Sequence, residues 1–339
     1  MKMNMYEWLE SIRNSPRKKA MPLLYFPAIQ MMGVNVRDLV ADSNLQAQAM
    51  KIIADRTDAP AAVGMMDLSV EAECFGAQIR FSDHEVPTVT GGIISTLEQA
   101  KELAVPQVGA GRTGLYIEAI KKATNLIQDR PVFACVIGSF SLAGRLMDVS
   151  QAMIYCYEEP EMVHLVLEKV TKFIIEYCQA YKAAGANGIV LAEPLAGLLS
   201  PALAAEFSAD YIKQIVAAVQ DENFIIIYHN CGGSTIKTID TILANGAPAY
   251  HFGNAIKMSE MLPKIPVDKI VLGNIDPSSQ FLNGSPESIR EATLSLLNEC
   301  GKYPNFLISS GCDTPPLSKW ENIEAFFAAV EEYYNESHQ

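Results

Sequence analysis

The stretch Phe224–Gly233, FIIIYHNCGG, is the most informative segment of the chain. Its first five residues are all apolar, which is typical of a parallel strand that is buried on both faces. The two glycines that follow the polar residues mark the end of the strand. A second run of the same kind, GIVLA at Gly188–Ala192, lies earlier in the chain. Runs of this type predict an α/β protein.

Eight such apolar runs alternate with longer amphipathic stretches. Ser200-Pro201 and Ser285-Pro286 are typical helix starts, with a capping hydroxyl before a proline in the first turn. Eight strands alternating with helices predict a TIM (β/α)8 barrel, and an open doubly wound sheet is the alternative. The predicted strands are Pro22–Ala28, Ala61–Met66, Val132–Gly138, Asn187–Glu193, Phe224–Asn230, Ala249–Asn254, Ile270–Ile275 and Asn305–Gly311.

Two segments lie outside this repeating pattern. The first fifteen residues mix charged and apolar positions, which predicts an amphipathic helical extension rather than a signal peptide. The interval between the second and third predicted strands is too long for one helix, so residues 67–131 must contain an insertion that includes TVTGG at 88–92. We therefore expect one barrel domain over residues 1–339, with extra structure at about 67–131.

The composition excludes several functional classes. A net charge of -13 and a pI near 4.9 argue against a nucleic-acid partner, because phosphate binding requires a basic surface. No run of eighteen apolar residues is present, so no transmembrane helix is expected. Seven scattered cysteines without a disulfide framework fit a reducing, cytoplasmic location. Small molecules or other proteins are the expected partners.

Polar residues lie where the predicted strands end, which is where the active sites of such barrels lie. His229 and Cys231 point to the same side of one strand, because side chains alternate along a strand. Cys312 follows the last strand, and Cys74 is the nearest rival thiol. An imidazole with two thiolates suits zinc, and three protein ligands leave a fourth position open, as in catalytic zinc sites. The residues at the strand ends are Asp67, Ser139, Glu193, His229, Cys231, Asn254, Asp276 and Cys312.

Several segments resemble the uroporphyrinogen decarboxylase superfamily and, within it, the cobamide-dependent methyltransferases that transfer a methyl group from a corrinoid protein to coenzyme M. In that branch a His-x-Cys pair and a later Cys bind zinc, so the resemblance implies His229, Cys231 and Cys312 as ligands. The matching segments are MDLSVEAECFGAQIRF at 66–81, GSFSLAGRLMD at 138–148, EPLAGLLSP at 193–201, YHNCGG at 228–233 and SSGCDTPPLSKWENI at 309–323.

The decarboxylase branch of the superfamily fits less well. Its members carry an arginine-rich N-terminal segment that binds the carboxylates of a tetrapyrrole. The corresponding stretch here, FPAIQMMGVNVRD, has no arginine before Arg37, and Cys312 replaces a family-typical histidine. Asp67, which matches an aspartate of the decarboxylases, is retained. Decarboxylation of uroporphyrinogen is therefore disfavoured.

The resulting hypothesis is zinc-dependent transfer of a methyl group from methylcobalamin on a corrinoid protein to a thiol such as coenzyme M. Other thiols and tetrahydrofolate remain possible acceptors. We expect Asp67, Glu71 and Glu193 to act in catalysis and Ser139 and Asn254 to contact the cofactor. The alternatives are a metal-free tetrapyrrole decarboxylase and a non-catalytic corrinoid- or metal-binding protein, and the protein could form a homodimer. His251 is expected to be a packed histidine or an outer partner of the metal site.

Overall fold

The computed structural model describes residues 3–336. Seven strands form one parallel sheet in the order β1-β4-β5-β6-β7-β8-β9, and β2 and β3 form a separate antiparallel hairpin. The strands are β1 Ala62–Val63, β2 Ile79–Arg80, β3 Thr88–Val89, β4 Val132–Ile137, β5 Gly188–Ala192, β6 Ile225–Asn230, β7 Ala249–Phe252, β8 Ile270–Ile275 and β9 Phe306–Ser310. Seven of the eight predicted strands are present, most of them shorter by one or two residues at an end.

The prediction of a strand at Pro22–Ala28 was wrong. The segment is extended up to Tyr25 and then turns into a short 3-10 helix at Phe26–Ala28. Met21 N donates to Ile308 O of β9 at 3.0 Å, but Leu23 N donates to the Ser310 side chain instead of to a backbone carbonyl. Because Pro22 lacks an N–H, a regular ladder cannot form along this segment.

The segment still occupies the eighth position of the barrel. Met21 and Leu23 belong to one buried apolar cluster with residues from all seven strands of the main sheet. Alternate residues of those strands, such as Ile225 and Ile227, contribute to this cluster. A core built from one face of eight consecutive segments is the filled interior of a (β/α)8 barrel. The predicted fold class is confirmed, with an irregular extended segment in place of the first strand.

The N-terminal extension closes one end of the barrel. The helix Met5–Asn14 buries Met5, Leu9 and Ile12 in the interior cluster, and the ring of Trp8 lies 5.6 Å from that of Phe133. Met5 N also donates to Glu222 O, just before β6. The amino ends of the strands are therefore covered, and the opposite, carboxyl ends remain as the open mouth.

Helices surround the sheet and pack on its outer face through a second, larger apolar cluster. Within residues 3–336, no helix is both long enough and apolar enough to cross a membrane. The helices are α1 Met5–Asn14, α2 Ile29–Met32, α3 Val36–Ala41, α4 Ser43–Arg56, α5 Val70–Cys74, α6 Leu97–Glu102, α7 Thr113–Leu126, α8 Ser139–Met147, α9 Val149–Glu158, α10 Pro160–Ala183, α11 Pro201–Ala204, α12 Asp210–Val219, α13 Ile239–Leu243, α14 Met258–Met261, α15 Pro286–Cys300 and α16 Trp320–Glu336.

The interval at 67–131 contains helices α5, α6 and α7 together with the β2–β3 hairpin. Residues 84–89, which are the end of the hairpin connection together with β3, bound the cavity at the barrel mouth. The insertion thus supplies one wall of the site described below. The assignment of residues 1–339 to one domain stays a prediction.

Candidate metal centre at the barrel mouth

Three soft donor atoms converge at the mouth of the barrel. His229, Cys231 and Cys312 each offer one ligand atom, and these atoms lie within 4.8 Å of one another. Cys312 Sγ is 3.6 Å from His229 Nε2. Tetrahedral zinc, with bonds of about 2.3 Å to sulfur and about 2.0 Å to nitrogen, places such a pair about 3.5 Å apart. The predicted ligands are therefore brought together at a spacing that fits zinc.

The local backbone explains how two distant segments meet. His229 is the second-last residue of the buried strand β6, and Cys231 lies two residues later, while Cys312 follows β9 on the other side of β7 and β8. A Cβ atom placed on Gly253, just after β7, would lie 2.5 Å from the Cβ of Cys231. A glycine is therefore needed at position 253 for Cys231 to turn toward the barrel axis.

A chain of hydrogen bonds orients the His229 ring. Its Nδ1 lies 2.8 Å from Nδ1 of His251, which is directly opposite on β7, and His251 Nε2 lies 2.8 Å from Ser309 Oγ. Burial and the neighbouring His229 hold the pKa of His251 well below its usual value, so His251 is neutral. If His229 Nδ1–H donates to His251 and His251 Nε2–H donates to Ser309, the His229 Nε2 lone pair faces the thiols. A hydrogen bond from the other ring nitrogen orients a metal-binding histidine, and here the acceptor would be a second histidine.

The two cysteines have pKa values that shift in opposite directions. A hydrogen bond from Cys312 and the neighbouring His229 lower the pKa of the Cys231 thiol, despite its burial. The hydrogen bond with Cys231, burial and the Cys231 charge raise the pKa of Cys312. A divalent cation bound between them would hold both as thiolates. The donor set and its charge fit zinc.

A cavity of about 780 Å³ opens next to Cys312. This size lies within the range of ligand-binding pockets. Most of its lining is apolar, and the ionisable side chains His84, Glu85, Arg145 and Asp313 also reach it. The apolar residues that line it include Leu68, Val86, Val149, Leu195, Leu282 and Leu317.

Asp67, a predicted catalytic residue, is engaged in a buried network. Its Oδ2 accepts hydrogen bonds from Arg112 and, at 2.7 Å, from Tyr116, and its Oδ1 accepts from the backbone and hydroxyl of Ser69. Arg112 also donates to Glu73 at 2.6 Å. The sequence did not reveal Arg112 and Tyr116, because both lie in the insertion, and the order of the strands does not predict where the insertion packs. Both carboxylate oxygens of Asp67 are therefore occupied.

Glu193, the second predicted catalytic residue, caps a helix. Its Oε1 accepts from Phe140 N at 2.8 Å and from Ser208 Oγ at 2.9 Å, and its Oε2 accepts from Ser141 N at 3.1 Å. Burial raises the pKa of this carboxyl group, and the hydrogen bonds from the start of α8 oppose that shift. Glu193 thus connects the end of β5 to the first turn of α8.

Glu71, the third predicted catalytic residue, is buried behind the barrel mouth and is only 1% exposed. Its Oε1 accepts from Ile137 N at 3.1 Å, and its Oε2 has no hydrogen-bond partner among residues 3–336. Burial raises the pKa of Glu71 to about 7. Glu71 does not line the cavity beside Cys312.

The two predicted cofactor-binding residues differ in position. Ser139 is fully buried, and its hydroxyl lies 2.8 Å from that of Thr171 on α10, so it points into helix packing. Asn254 is exposed just after β7 and lies against Gly311. Neither residue lines the cavity. Asp276 accepts from the backbone N–H groups of Ser278 and Ser279, which makes it a turn cap.

Comparisons with known proteins place these observations in a family. The sequence model described as uroporphyrinogen decarboxylase (URO-D) matches residues 18–333. The methylcobamide:CoM methyltransferase MtbA of Methanosarcina acetivorans is 26% identical over 274 residues, covering 79% of this chain and 78% of that protein. The uroporphyrinogen decarboxylase of Hydrogenovibrio crunogenus is 24% identical over 315 residues, covering 89% and 87%. Sequence identity alone therefore does not separate the two activities.

Solved structures show the same fold. A methyltransferase from Methanosarcina mazei superposes with a TM-score of 0.85 at 21% identity, and the match covers 98% of both chains. A B12-independent methionine synthase from Shewanella gives a TM-score of 0.64 at 10% identity, covering 95% of this chain and 97% of that one. The arrangement of strands and helices is thus shared over nearly the whole chain.

Proposed function

Since the chain belongs to the uroporphyrinogen decarboxylase family, we propose that it is a methyltransferase of that family, which moves a methyl group from a corrinoid held by a partner protein to a thiol such as coenzyme M. The curated relatives include methyltransferases that are named for both substrates. The observation that carries the proposal is the convergence of His229, Cys231 and Cys312 beside the open cavity.

The proposed reaction is a displacement at the methyl carbon. A thiolate sulfur of the acceptor attacks the methyl group of methylcobalamin, so that a C–S bond forms while the Co–C bond breaks. Both electrons of that bond remain on cobalt, which leaves as Co(I), and the proton of the acceptor thiol goes to solvent. Zinc bound by the three side chains would lower the pKa of the acceptor thiol and so supply the thiolate at neutral pH.

The residues of the chain have separate tasks in this reaction. His251 and Ser309 hold the His229 ring so that Nε2 faces the two sulfurs. Cys231 and Cys312, as thiolates, would keep a bound zinc less Lewis-acidic than three histidines would, which suits a sulfur acceptor better than a hydrolytic water. The apolar lining of the cavity keeps water away from the attacking sulfur.

Asp67 argues against the decarboxylase alternative. The carboxylate that matches the decarboxylases is bonded to Arg112, Tyr116 and Ser69, so neither of its oxygens is free for a substrate. The 3-10 helix and α2 region at Phe26–Met32, where the decarboxylases carry arginines, has none. A polyanionic tetrapyrrole would lack its cationic partners here.

Metal content and demethylation together test the proposal. Purified protein is expected to contain about one zinc per chain and, with a thiol, to convert methylcobalamin to the demethylated corrinoid, followed by absorbance. Cys312→Ala is expected to abolish both properties. Cys74→Ala is the matched control, because Cys74 is also a half-buried thiol but lies outside the donor cluster.

Three outcomes would contradict the proposal: a metal-free wild-type protein with full activity, zinc binding without any thiol-dependent demethylation, or equal loss in the Cys74 and Cys312 variants. Decarboxylation of uroporphyrinogen that is insensitive to chelators would favour the alternative.

A further inference from the structure

Arg145 is a cation without an acidic partner at the mouth of the barrel. It lies in the last turn of α8, is largely buried, and lines the same cavity as Cys312. Its only protein hydrogen bond within residues 3–336 runs from Nη1 to Ser141 O at 3.3 Å, and no carboxylate oxygen of this part of the chain lies within 4 Å. A guanidinium group has five N–H donors and stays charged, so most of its donors are free to bind a ligand.

The nearby carboxylates are engaged elsewhere. Burial lowers the pKa of Arg145, and the charges of Glu71, Glu193 and Asp67 oppose that shift. Asp67 is bonded to Arg112, and Glu193 is bonded to the start of α8. Glu71 uses one oxygen on Ile137 N. These acids stabilise a positive charge at this place, but the guanidinium itself faces the cavity.

The remaining lining explains what such a group can do there. The lining around it includes the apolar residues Leu195 and Val149, the acids Glu85 and Asp313 also reach the cavity, and the cavity volume is about 780 Å³. In a largely apolar pocket a buried guanidinium discriminates between ligands by charge, because leaving it unpaired is costly. A planar guanidinium matches the oxygens of a sulfonate or carboxylate with two parallel hydrogen bonds.

We propose that Arg145 selects the acceptor by charge, by binding a sulfonate or carboxylate group carried on the same small molecule as the reactive thiol. This inference rests on the proposed methyl transfer to a thiol and assigns its specificity to one residue. The sulfur would reach the donor cluster at Cys312 while the anionic group stays at Arg145. A neutral thiol of the same length would bind without this contact, and a cationic one would be repelled.

Matched thiols test the assignment. Binding to the zinc-loaded protein is measured by calorimetry, and demethylation of methylcobalamin by absorbance, with 2-mercaptoethanesulfonate, 2-mercaptoethanol and cysteamine. Arg145→Gln is expected to weaken binding of the sulfonate and raise its KM roughly 10- to 100-fold, the range for hydrogen bonds to a charged group. The KM for 2-mercaptoethanol is expected to change less than about twofold. Arg145→Lys should recover part of the preference.

Arg80→Gln is the matched control, because it removes the same charge from an exposed position on the β2–β3 hairpin outside the cavity. Equal effects of Arg145→Gln on the sulfonate and on the neutral thiol would overturn the inference, as would equal effects of the Arg80 and Arg145 variants. If Arg145→Gln does not fold, Arg145→Lys decides alone. The ratio of its KM for 2-mercaptoethanesulfonate to its KM for 2-mercaptoethanol is expected to be higher than in the wild type, and an unchanged ratio would overturn the inference. If the wild-type protein does not demethylate methylcobalamin with any of the three thiols, the proposed function is refuted instead. The two failures are therefore distinguishable.

Discussion

Replacing His251 with leucine is expected to weaken zinc binding without removing a ligand. His251 is fully buried, and its Nδ1 lies 2.8 Å from Nδ1 of His229. When a metal occupies Nε2, the His229 proton must be on Nδ1, and leucine leaves that N–H buried without an acceptor. The cost of such a group is about 1–3 kcal/mol. At 1.4 kcal/mol per tenfold change, this corresponds to roughly a 5- to 150-fold loss of affinity, which agrees with outer-partner effects in other metal sites.

The loss is expected in affinity rather than in folding, because the metal-free His229 can move its proton to Nε2 and donate to a cysteine sulfur. Zinc affinity would be measured by competition with a chromogenic chelator, and folding by thermal unfolding of the metal-free protein. Tyr250→Phe is the control, since Tyr250 is the buried neighbour of His251 on β7 and takes no part in the chain of bonds. His251→Gln should restore part of the affinity through its amide oxygen. Wild-type affinity in a folded His251→Leu protein would refute the proposed support of His229.

Four further outcomes are expected. Burial raises the pKa of Glu71 to about 7 from its usual 4.5, so this group destabilises the fold as pH rises from about 4.5 to 7. In urea unfolding of the metal-free protein, Glu71→Gln should therefore raise the free energy of unfolding by up to roughly 3 kcal/mol at pH 8 and by little at pH 4.5, unlike the control Glu118→Gln at a half-exposed position. Arg112→Met should lower the free energy of unfolding by about 3–5 kcal/mol, because it leaves Asp67 buried and unpaired, and adding Asp67→Asn should recover part of it. Gly253→Ala should reduce zinc affinity roughly tenfold or more, measured by the same chelator competition, because its Cβ would displace Cys231. Zinc removal by a chelator should lower the melting temperature of the wild type, since a ligand at 100 times its Kd adds about 2.7 kcal/mol to the free energy of unfolding. The melting temperature of Cys312→Ala should not change on addition of the chelator.

The strands could be predicted because each apolar run is a local signal. The run at Phe224–Tyr228 is buried on both faces in the structure, as its composition predicts. The failure at Pro22–Ala28 has a local cause too, because two prolines remove backbone donors from the segment. Its side chains still fill the barrel, which shows that apolar character decides burial while backbone donors decide whether a regular strand forms.

The candidate metal centre was predictable only in part. The two-residue spacing of His229 and Cys231 places both on one side of β6, but the approach of Cys312 depends on the order of the strands in the barrel. The roles of Asp67 and Ser139 did not follow from their positions at strand ends. Asp67 bonds to Arg112, 45 residues away in the insertion. Ser139 is already the first residue of α8, so its side chain turns toward Thr171 on α10.

The interior of the barrel separates into two layers, and this separation explains why the candidate site lies at the mouth. The lower layer is apolar, and helix α1 seals it from the amino ends of the strands with Met5, Leu9 and Ile12. The upper layer begins where the histidines of β6 and β7 replace aliphatic residues on the same inward face. Because polar groups in this layer bond to one another, they can be buried at low cost. In the proposed reaction, the acceptor and the methyl donor would therefore both enter through the same opening, and the thiol would have to lie deeper than the corrinoid for its sulfur to come between the cysteines and the methyl group.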